Sequence, residues 1–388
     1  MARRTVNPLD IMDECVQLAL GGRGATKTNP IVGSIVVKDG EVIGRGFHEE
    51  YGSAHAEVNA LNEAGELARG ADLYVTLEPC SHQGKTPPCT DRIIQSGIKR
   101  VFVGVVDPNP VNAGKGLEKL MEAGLEVFLG YREELCAAVI EDFTKLTLTG
   151  KPYFTLKTAS TLDGKLATRT GESKWITGSP ARAYVHYLRS VSDAVLVGVN
   201  TVIADDPALT VRDHIFDAEE PFKIVMDPSG RLPLGCRLLN ETPEKLVYVT
   251  SPEGGKISEA VIDKGGTVLR PGMDGRYINM DALAEGLVKL GIMNVLIEGG
   301  GETAGAFFDS KLIDRGNFFI ALKVMGGRDA VTCIGGEGIS SVADAYPMID
   351  PEIKRFGEDL LVHGRFTDYR KYVLDLTEKL RNRCSREL

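Results

Sequence analysis

Within the first ninety residues, one histidine, one glutamate and two cysteines have the types and spacing for metal chemistry. Ala54-His55-Ala56-Glu57 opens a stretch with helical period, Glu78-Pro79-Cys80 closes a strand-like run, and Cys89 follows after the insert Ser81–Pro88. One imidazole and two thiolates suit Zn2+, and three protein ligands leave a fourth position open for water. On catalytic zinc the pKa of water falls from 15.7 to about 7. At about 1.36 kcal/mol per unit, this removes roughly 12 kcal/mol from the cost of making hydroxide. Glu57, two residues from His55, can take the water proton and deliver it to a ring nitrogen and then to leaving ammonia. A helix start at Cys89 favours the thiolate form there and at Cys80. A closed structural site with His82 as fourth ligand competes, but it gives no reason to reserve an acid beside a ligand.

The elements that must position these groups follow from periodicity. Asp10–Leu20 reads as a helix, Ile31–Val37 and Val42–Phe47 as strands about an Asp39-Gly40 turn, and His55–Ala68 as a helix. Leu73–Leu77, Val101–Val106 and Leu125–Leu129 read as strands; Pro88–Gln95, Gly116–Glu122 and Glu133–Leu146 read as helices. This alternation over about 145 residues implies a layered α/β domain with helices on both faces of a sheet. Gly150-Lys151-Pro152 interrupts it, and a second α/β unit begins at Tyr153. There the expected strands are Tyr153–Thr158, Ala194–Val199, Phe222–Met226, Leu246–Thr250, Asn294–Ile297 and Asn317–Ala321, with helices at Ala181–Ser190, Ala282–Leu290 and Glu302–Ser310. The expected division is therefore 1–148 and 149–388, two fragments each able to fold alone.

In the second unit, Glu298-Gly299-Gly300-Gly301-Glu302-Thr303-Ala304 follows a strand and opens a helix. Such glycines let backbone N–H groups approach a phosphate at a helix N-terminus. The match to a dinucleotide fingerprint is loose and lies late in its unit, so by itself it indicates only an anion or nucleotide site.

Composition sets limits. The 388 residues carry a formal charge of −9 with 6% aromatics, which argues against the basic groove and stacking platforms of a nucleic-acid binder. No apolar run suits a membrane span or a secretory leader. Seven scattered cysteines point to a reducing, cytoplasmic setting. The sequence leaves the oligomeric state open, a homo-oligomer included.

At this level of detail the chain resembles a known family. Thr28-Asn29-Pro30-Ile31-Val32-Gly33, Gly46-Phe47-His48, His55-Ala56-Glu57-Val58-Asn59-Ala60-Leu61, Thr76-Leu77-Glu78-Pro79-Cys80-Ser81-His82, Gly84-Lys85-Thr86-Pro87-Pro88-Cys89 and Asp107-Pro108-Asn109-Pro110 occur in one order. Together they resemble the bifunctional deaminase/reductase of riboflavin biosynthesis. The insert between the cysteines sets this family apart from cytidine and tRNA-adenosine deaminases. The second half is similar in Lys157–Lys165, Gly171–Thr177, Gly198–Val202 and Asp205–Arg212.

The resemblance implies a cytidine-deaminase-like three-layer α/β domain followed by a dihydrofolate-reductase-like α/β domain. It implies hydrolytic deamination of 2,5-diamino-6-ribosylamino-4(3H)-pyrimidinone 5′-phosphate on zinc held by His55, Cys80 and Cys89 with Glu57 as catalyst, then NADPH-dependent reduction of the ribosyl side chain to ribityl. Carried over residue by residue, Asn29, His48, Lys85, Asp107 and Asn109 would contact the deaminase substrate. Ala159, Trp175, Thr201, Asp205, Gly299, Gly300, Gly301, Glu302, Thr303 and Ala304 would hold NADPH. Ser173, Arg189, Leu209, Arg212 and Glu298 would hold the second substrate, with Asp205 assisting ring opening and Glu298 as its competitor. One departure is visible: Asn112 stands just before Ala113-Gly114, where family members commonly carry Val. Two other readings compete, a nucleic-acid-editing deaminase with an accessory C-terminal domain and a C-terminal half reduced to cofactor sensing or assembly.

Overall fold

The structure is a computed structural model that describes residues 7–84, 87–212, 220–251 and 255–385. The chain forms two compact units, Met1–Gly150 with Tyr369–Leu388, and Lys151–Asp368.

The first unit runs α1 (Pro8–Leu20), β1 (Gly33–Lys38), β2 (Glu41–Phe47), α2 (Ala56–Ala64), β3 (Asp72–Leu77), α3 (Cys89–Gln95), β4 (Arg100–Val105), α4 (Lys115–Glu122), β5 (Glu126–Leu129), α5 (Glu133–Val139) and α6 (Glu141–Thr149). Its sheet has the order β2-β1-β3-β4-β5, antiparallel at β2/β1 and β1/β3 and parallel at β3/β4 and β4/β5. The period-2 alternation of the strands fills two cores. Ile35, Tyr74 and Phe102 meet α1 and α5 on one face, while Val36, Val75 and Val103 meet α2, α3 and α4 on the other. The expected helix Glu133–Leu146 is two helices, because Ile140 leaves the helical region at φ −109°.

Close approach of α2 depends on glycine. A methyl at Gly44 would lie 2.2 Å from the Ala60 carbonyl, and one at Gly46 would lie 2.4 Å from that of Ala56. Only a strand without side chains at these points lets the first turn of α2, which carries the site, lie flat on the sheet.

The second unit comprises β6 (Tyr153–Thr161), α7 (Ser179–Ser190), β7 (Ala194–Gly198), α8 (Val199–Asp205), β8 (Phe222–Asp227), α9 (Arg237–Glu241), β9 (Leu246–Thr250), α10 (Gly255–Asp263), β10 (Thr267–Leu269), β11 (Met273–Asp274), β12 (Tyr277–Ile278), α11 (Met280–Lys289), β13 (Asn294–Ile297), α12 (Gly301–Asp309), β14 (Ile313–Ala321), β15 (Ile349–Phe356) and β16 (Asp359–Arg365). Its main sheet has the order β10-β9-β8-β7-β13-β6-β14-β16-β15. All pairings are parallel except β14/β16 and β15/β16. Helices cover both faces, as a parallel sheet requires.

The chain's last helix, α13 (Arg370–Arg381), corrects the expected 149–388 division, because it packs into the first unit. Val373 joins the α1 core, Leu376, Leu380 and Cys384 join the other, and Ser385 N–H donates to Val127 O on edge strand β5 at 2.7 Å. Arg381 pairs with Glu133, and Arg383 with Glu118 at 3.2 Å. The segment both fills the core and covers a strand edge, so a 1–148 fragment lacks part of its own core.

A chain ending at residue 368 is therefore expected to be destabilised in the first unit alone. Burial of one large aliphatic side chain is worth about 1.5–3 kcal/mol. Chemical denaturation should show an earlier transition by hydrogen exchange in β4 and β5, while the fluorescence of Trp175, the sole tryptophan and a residue of the second unit, should report an unchanged one.

Candidate active sites

His55 is the N-cap of α2, Glu57 lies in its first turn, Cys80 follows β3 and Cys89 is the first residue of α3. The donor atoms of His55, Cys80 and Cys89 converge to within 4.8 Å of one another. His55 Nδ1 stands 3.2 Å from Cys89 Sγ and 3.6 Å from Cys80 Sγ. A tetrahedral zinc with Zn–S of about 2.3 Å and Zn–N of about 2.0–2.1 Å needs N to S separations of about 3.6 Å, so the donor set fits. His82 is exposed and is not among the converging groups, so the cluster offers three donors and would leave a fourth coordination position open to a metal held there.

The start of α3 is directed at one of the two sulfurs. The Cys89 N–H at the start of α3 donates to Cys80 Sγ at 3.3 Å. The helix terminus thus serves the neighbouring sulfur: hydrogen bonding from the Cys89 side chain pulls the Cys80 thiol down to about 4, with His55 and the Cys89 N–H adding to it, while Cys89 is raised. Glu57 is 3% exposed, and burial raises its carboxyl. A buried acid of raised pKa is suited to taking and returning a proton near neutrality.

A cleft of about 260 Å³ opens on His55, Glu57 and Cys80, lined also by Asn29, His48, Asp107 and Asn109. His48 Nδ1–H donates to Ala54 O at 3.2 Å and its Nε2 accepts from Asn29 Nδ2 at 3.2 Å, so one tautomer satisfies both contacts. Burial lowers the His48 pKa, which favours the neutral ring. Asp107 is pushed up to about 6 by burial and accepts from Asn109 N at 2.8 Å. Lys85 lies outside the described residues.

Sequence reasoning gave no role to Glu78, although it quoted the motif that holds it. Buried in front of Cys80, its carboxylate accepts from the N–H groups of Asp107 (3.1 Å), Gly114 (3.0 Å), Gly116 (2.8 Å) and Leu117 (3.3 Å). Burial raises it to about 7 against those donors.

In the second unit, β7 and β13 end side by side, with Ile297 in register with Leu196. From those carboxyl ends start α8, with Thr201, and the Glu298–Gly301 turn into α12, which is where open α/β sheets bind ligands. A methyl on Gly300 would meet only Thr201 Oγ1 at 4.0 Å, leaving that face open to a phosphate. Gly301 differs: a methyl there would lie 2.4 Å from Thr332 O, so its missing side chain serves packing. Gly299 lies against Thr303, and Ala304 is buried in the core. Glu302 is exposed and pairs with Arg276 at 2.8 Å.

The remaining expected contacts are placed as follows. Ala159 lies half-buried on β6, and Ser173 is half-buried before α7. Trp175 is 66% exposed beneath the Arg182 guanidinium, 4.5 Å from the ring centre, and takes no part in a core. Asp205 ends α8 and pairs with Lys174 at 3.1 Å. Leu209 is buried in the core below α8. Arg212 is exposed. Arg189 spends its donors within the protein, bonding both Glu298 oxygens at 2.6 and 3.0 Å and Thr210 O at 3.0 Å. Lys157 joins that buried pair, 3.8 Å from Glu298.

Three converging donors suited to a metal beside a buried acid, and a second, mostly parallel α/β unit with a glycine turn at its switch point, define the class of a zinc-dependent deaminase fused to a dihydrofolate-reductase-like reductase. The model of the cytidine and deoxycytidylate deaminase zinc-binding region matches residues 7–105, and that of the RibD C-terminal domain matches residues 152–362. The chain is 46% identical to riboflavin biosynthesis protein RibD of Aquifex aeolicus over 90% of its own length and 96% of the relative's. It is 39% identical to that of Escherichia coli over 91% and 97%. A solved RibD structure from Acinetobacter baumannii superposes with TM-score 0.82 at 38% identity, over 92% of this chain and 98% of that one. The Thermotoga maritima deaminase/reductase gives 0.80 at 35%, over the same shares. The chain belongs to the RibD family, the bifunctional zinc-dependent deaminase and NADPH-dependent reductase of riboflavin biosynthesis. Among the described residues, no helix is long and apolar enough to cross a membrane.

Cys89→Ser is expected to lose most bound zinc, since a hydroxyl near the trio is a poor substitute for thiolate; metal analysis of the folded variant checks this. Full zinc occupancy would remove Cys89 from the ligand set.

Proposed function

We propose that Glu57 is the proton shuttle of the deaminase and that the cleft around it recognises the phosphorylated diaminopyrimidine. The observation that carries this reading is the buried Glu57 carboxyl beside the His55, Cys80 and Cys89 donors, at the base of a cleft with an open metal position. When bound, zinc lowers the pKa of its water and so supplies the nucleophile. Glu57 would accept that water's proton, return it to the ring nitrogen, and carry a second to the amino group as it leaves as ammonia. Asn29 and the neutral His48 hold each other in one orientation and present polar edges to the pyrimidine. Asp107 and Asn109 face the same space from the opposite loop. The acidic chain and the small enclosed cleft favour a free nucleotide-like substrate over a polynucleotide.

In the second unit, Gly300, Thr201 and the N-terminus of α12 would hold the cofactor's phosphates, with Ala159 and Trp175 nearer its nicotinamide end and Ser173, Leu209 and Arg212 toward the substrate. When bound, NADPH would supply a hydride for C1′ of the opened ribose; the protein's share is to align the two carbons and exclude water. Asp205, partly exposed at the end of α8 and paired there with Lys174, would assist ring opening, whereas Glu298 is held as a carboxylate between Arg189 and Lys157. Arg189 then acts by holding Glu298 in place.

Glu57→Gln should retain zinc and fold but lose deamination by about 100- to 10,000-fold, with reduction of already deaminated substrate unchanged. Near-normal turnover would exclude Glu57 as the shuttle. On the other unit, Gly300→Val should raise the Kd for NADPH without lowering the melting temperature, whereas Gly301→Val should lower the melting temperature by driving a side chain into Thr332. Equal NADPH affinity in wild type and Gly300→Val would move the phosphate site away from this turn.

A further inference from the structure

The side chain of Asn112 is wholly buried. Apolar burial alone would not call for an amide here, yet all four of its hydrogen-bonding positions are used. Its Oδ1 accepts from Ser81 N–H and Ser81 Oγ, each at 2.9 Å. Its Nδ2 donates to Pro79 O at 3.4 Å and to Asp107 Oδ2 at 3.3 Å. Donors surround the oxygen and acceptors surround the nitrogen, so only one orientation of the amide satisfies the site. Pro79 and Ser81 flank the zinc ligand Cys80 on either side in sequence, and Asp107 lines the cleft.

We infer that Asn112 is a positioning residue of the deaminase, fixing the Asp107 carboxylate relative to the Cys80 loop and hence to the bound pyrimidine. The inference rests on the reading of Asp107 as a substrate contact. Without the amide, Asp107 keeps its turn bond from Asn109 N through Oδ1, and Glu78 still holds the Asp107 N–H, so the loop stays folded. What is lost is the restraint on Oδ2, the oxygen not engaged by its own turn. Valine at 112 would leave the Ser81 N–H without its acceptor, a defect next to a metal ligand that an unbonded polar group makes costly.

The test uses the full-length zinc enzyme with three variants: Asn112→Val, Asn112→Asp and Asp107→Asn. Asn112→Asp is nearly isosteric and keeps both Ser81 bonds, but turns an acceptor toward Asp107, so it carries the test should the valine variant fold poorly. Both Asn112 variants should keep one zinc per chain and full reductase turnover, and should raise the deaminase KM at least tenfold with kcat changed less than threefold. Asp107→Asn should show a KM defect of the same kind. A wild-type KM in Asn112→Asp beside an impaired Asp107→Asn would overturn the positioning role while leaving Asp107 as a contact. A wild-type KM in Asp107→Asn would overturn the contact and the inference together. Loss of zinc or of kcat in folded Asn112→Asp, with KM unchanged, would also overturn it, because the amide would then serve the metal loop alone.

Discussion

A carboxylate placed inside a protein must be given hydrogen-bond donors, and the way Glu78 obtains them organises the deaminase site. Four backbone N–H groups from the segment between Asp107 and Leu117 converge on its two oxygens, including those at the start of α4. Donors of that kind are unpaired in any helix start, so one buried acid satisfies the helix terminus and the loop before it at once. Because Glu78 lies two residues before Cys80, the same bonds tie the loop of Asp107 to that of Cys80. A methyl at Gly116 would stand 2.1 Å from Pro79 O, which shows how closely α4 is drawn in.

The other half of the site comes from the opposite side of the sheet order, through α2. His55 and Glu57 reach Cys80 and Cys89 because α2 lies directly on β2, over strand positions occupied by glycine. His55 and Glu57 are therefore carried by α2 on its glycine floor, and Cys80 and Asp107 by the loops clamped by Glu78 and Asn112. The C-terminal helix supports those loops: Thr377 Oγ1 accepts from Val106 N–H at 3.0 Å, the peptide before Asp107. A segment beyond the residues matched by the reductase family model thus belongs physically to the deaminase unit.

In the reductase unit the charges balance differently. Glu298 sits at the carboxyl end of the central strand β13 between Arg189 and Lys157, and burial pushes Lys157 down while the Glu298 charge pulls it up. The two cations offset the desolvation of the carboxylate, which holds it below its usual range. The glycine turn that follows divides its labour: Gly301 admits the Thr332 segment, and Gly300 leaves space on the side of Thr201.

The meeting of His55, Cys80 and Cys89 beside Glu57 and the layered α/β class were legible in the sequence, because zinc coordination demands particular side chains and strand periodicity exposes the core-facing residues. The six strands expected after residue 150 are present, since each is a nearly continuous apolar run. The pair β15 and β16 was not legible: most of β15 is exposed and polar, so no alternation marks it. The helix α13 also escaped the reading, and with it the true extent of the first unit, because membership of a core is a matter of what a helix packs against and not of its own pattern. Tertiary structure likewise decided which thiol the α3 terminus serves, that Arg189 meets Glu298, and that Asn112 joins two loops. Sequence names the groups that can bond; only the fold sets which of them lie within 3 Å of one another.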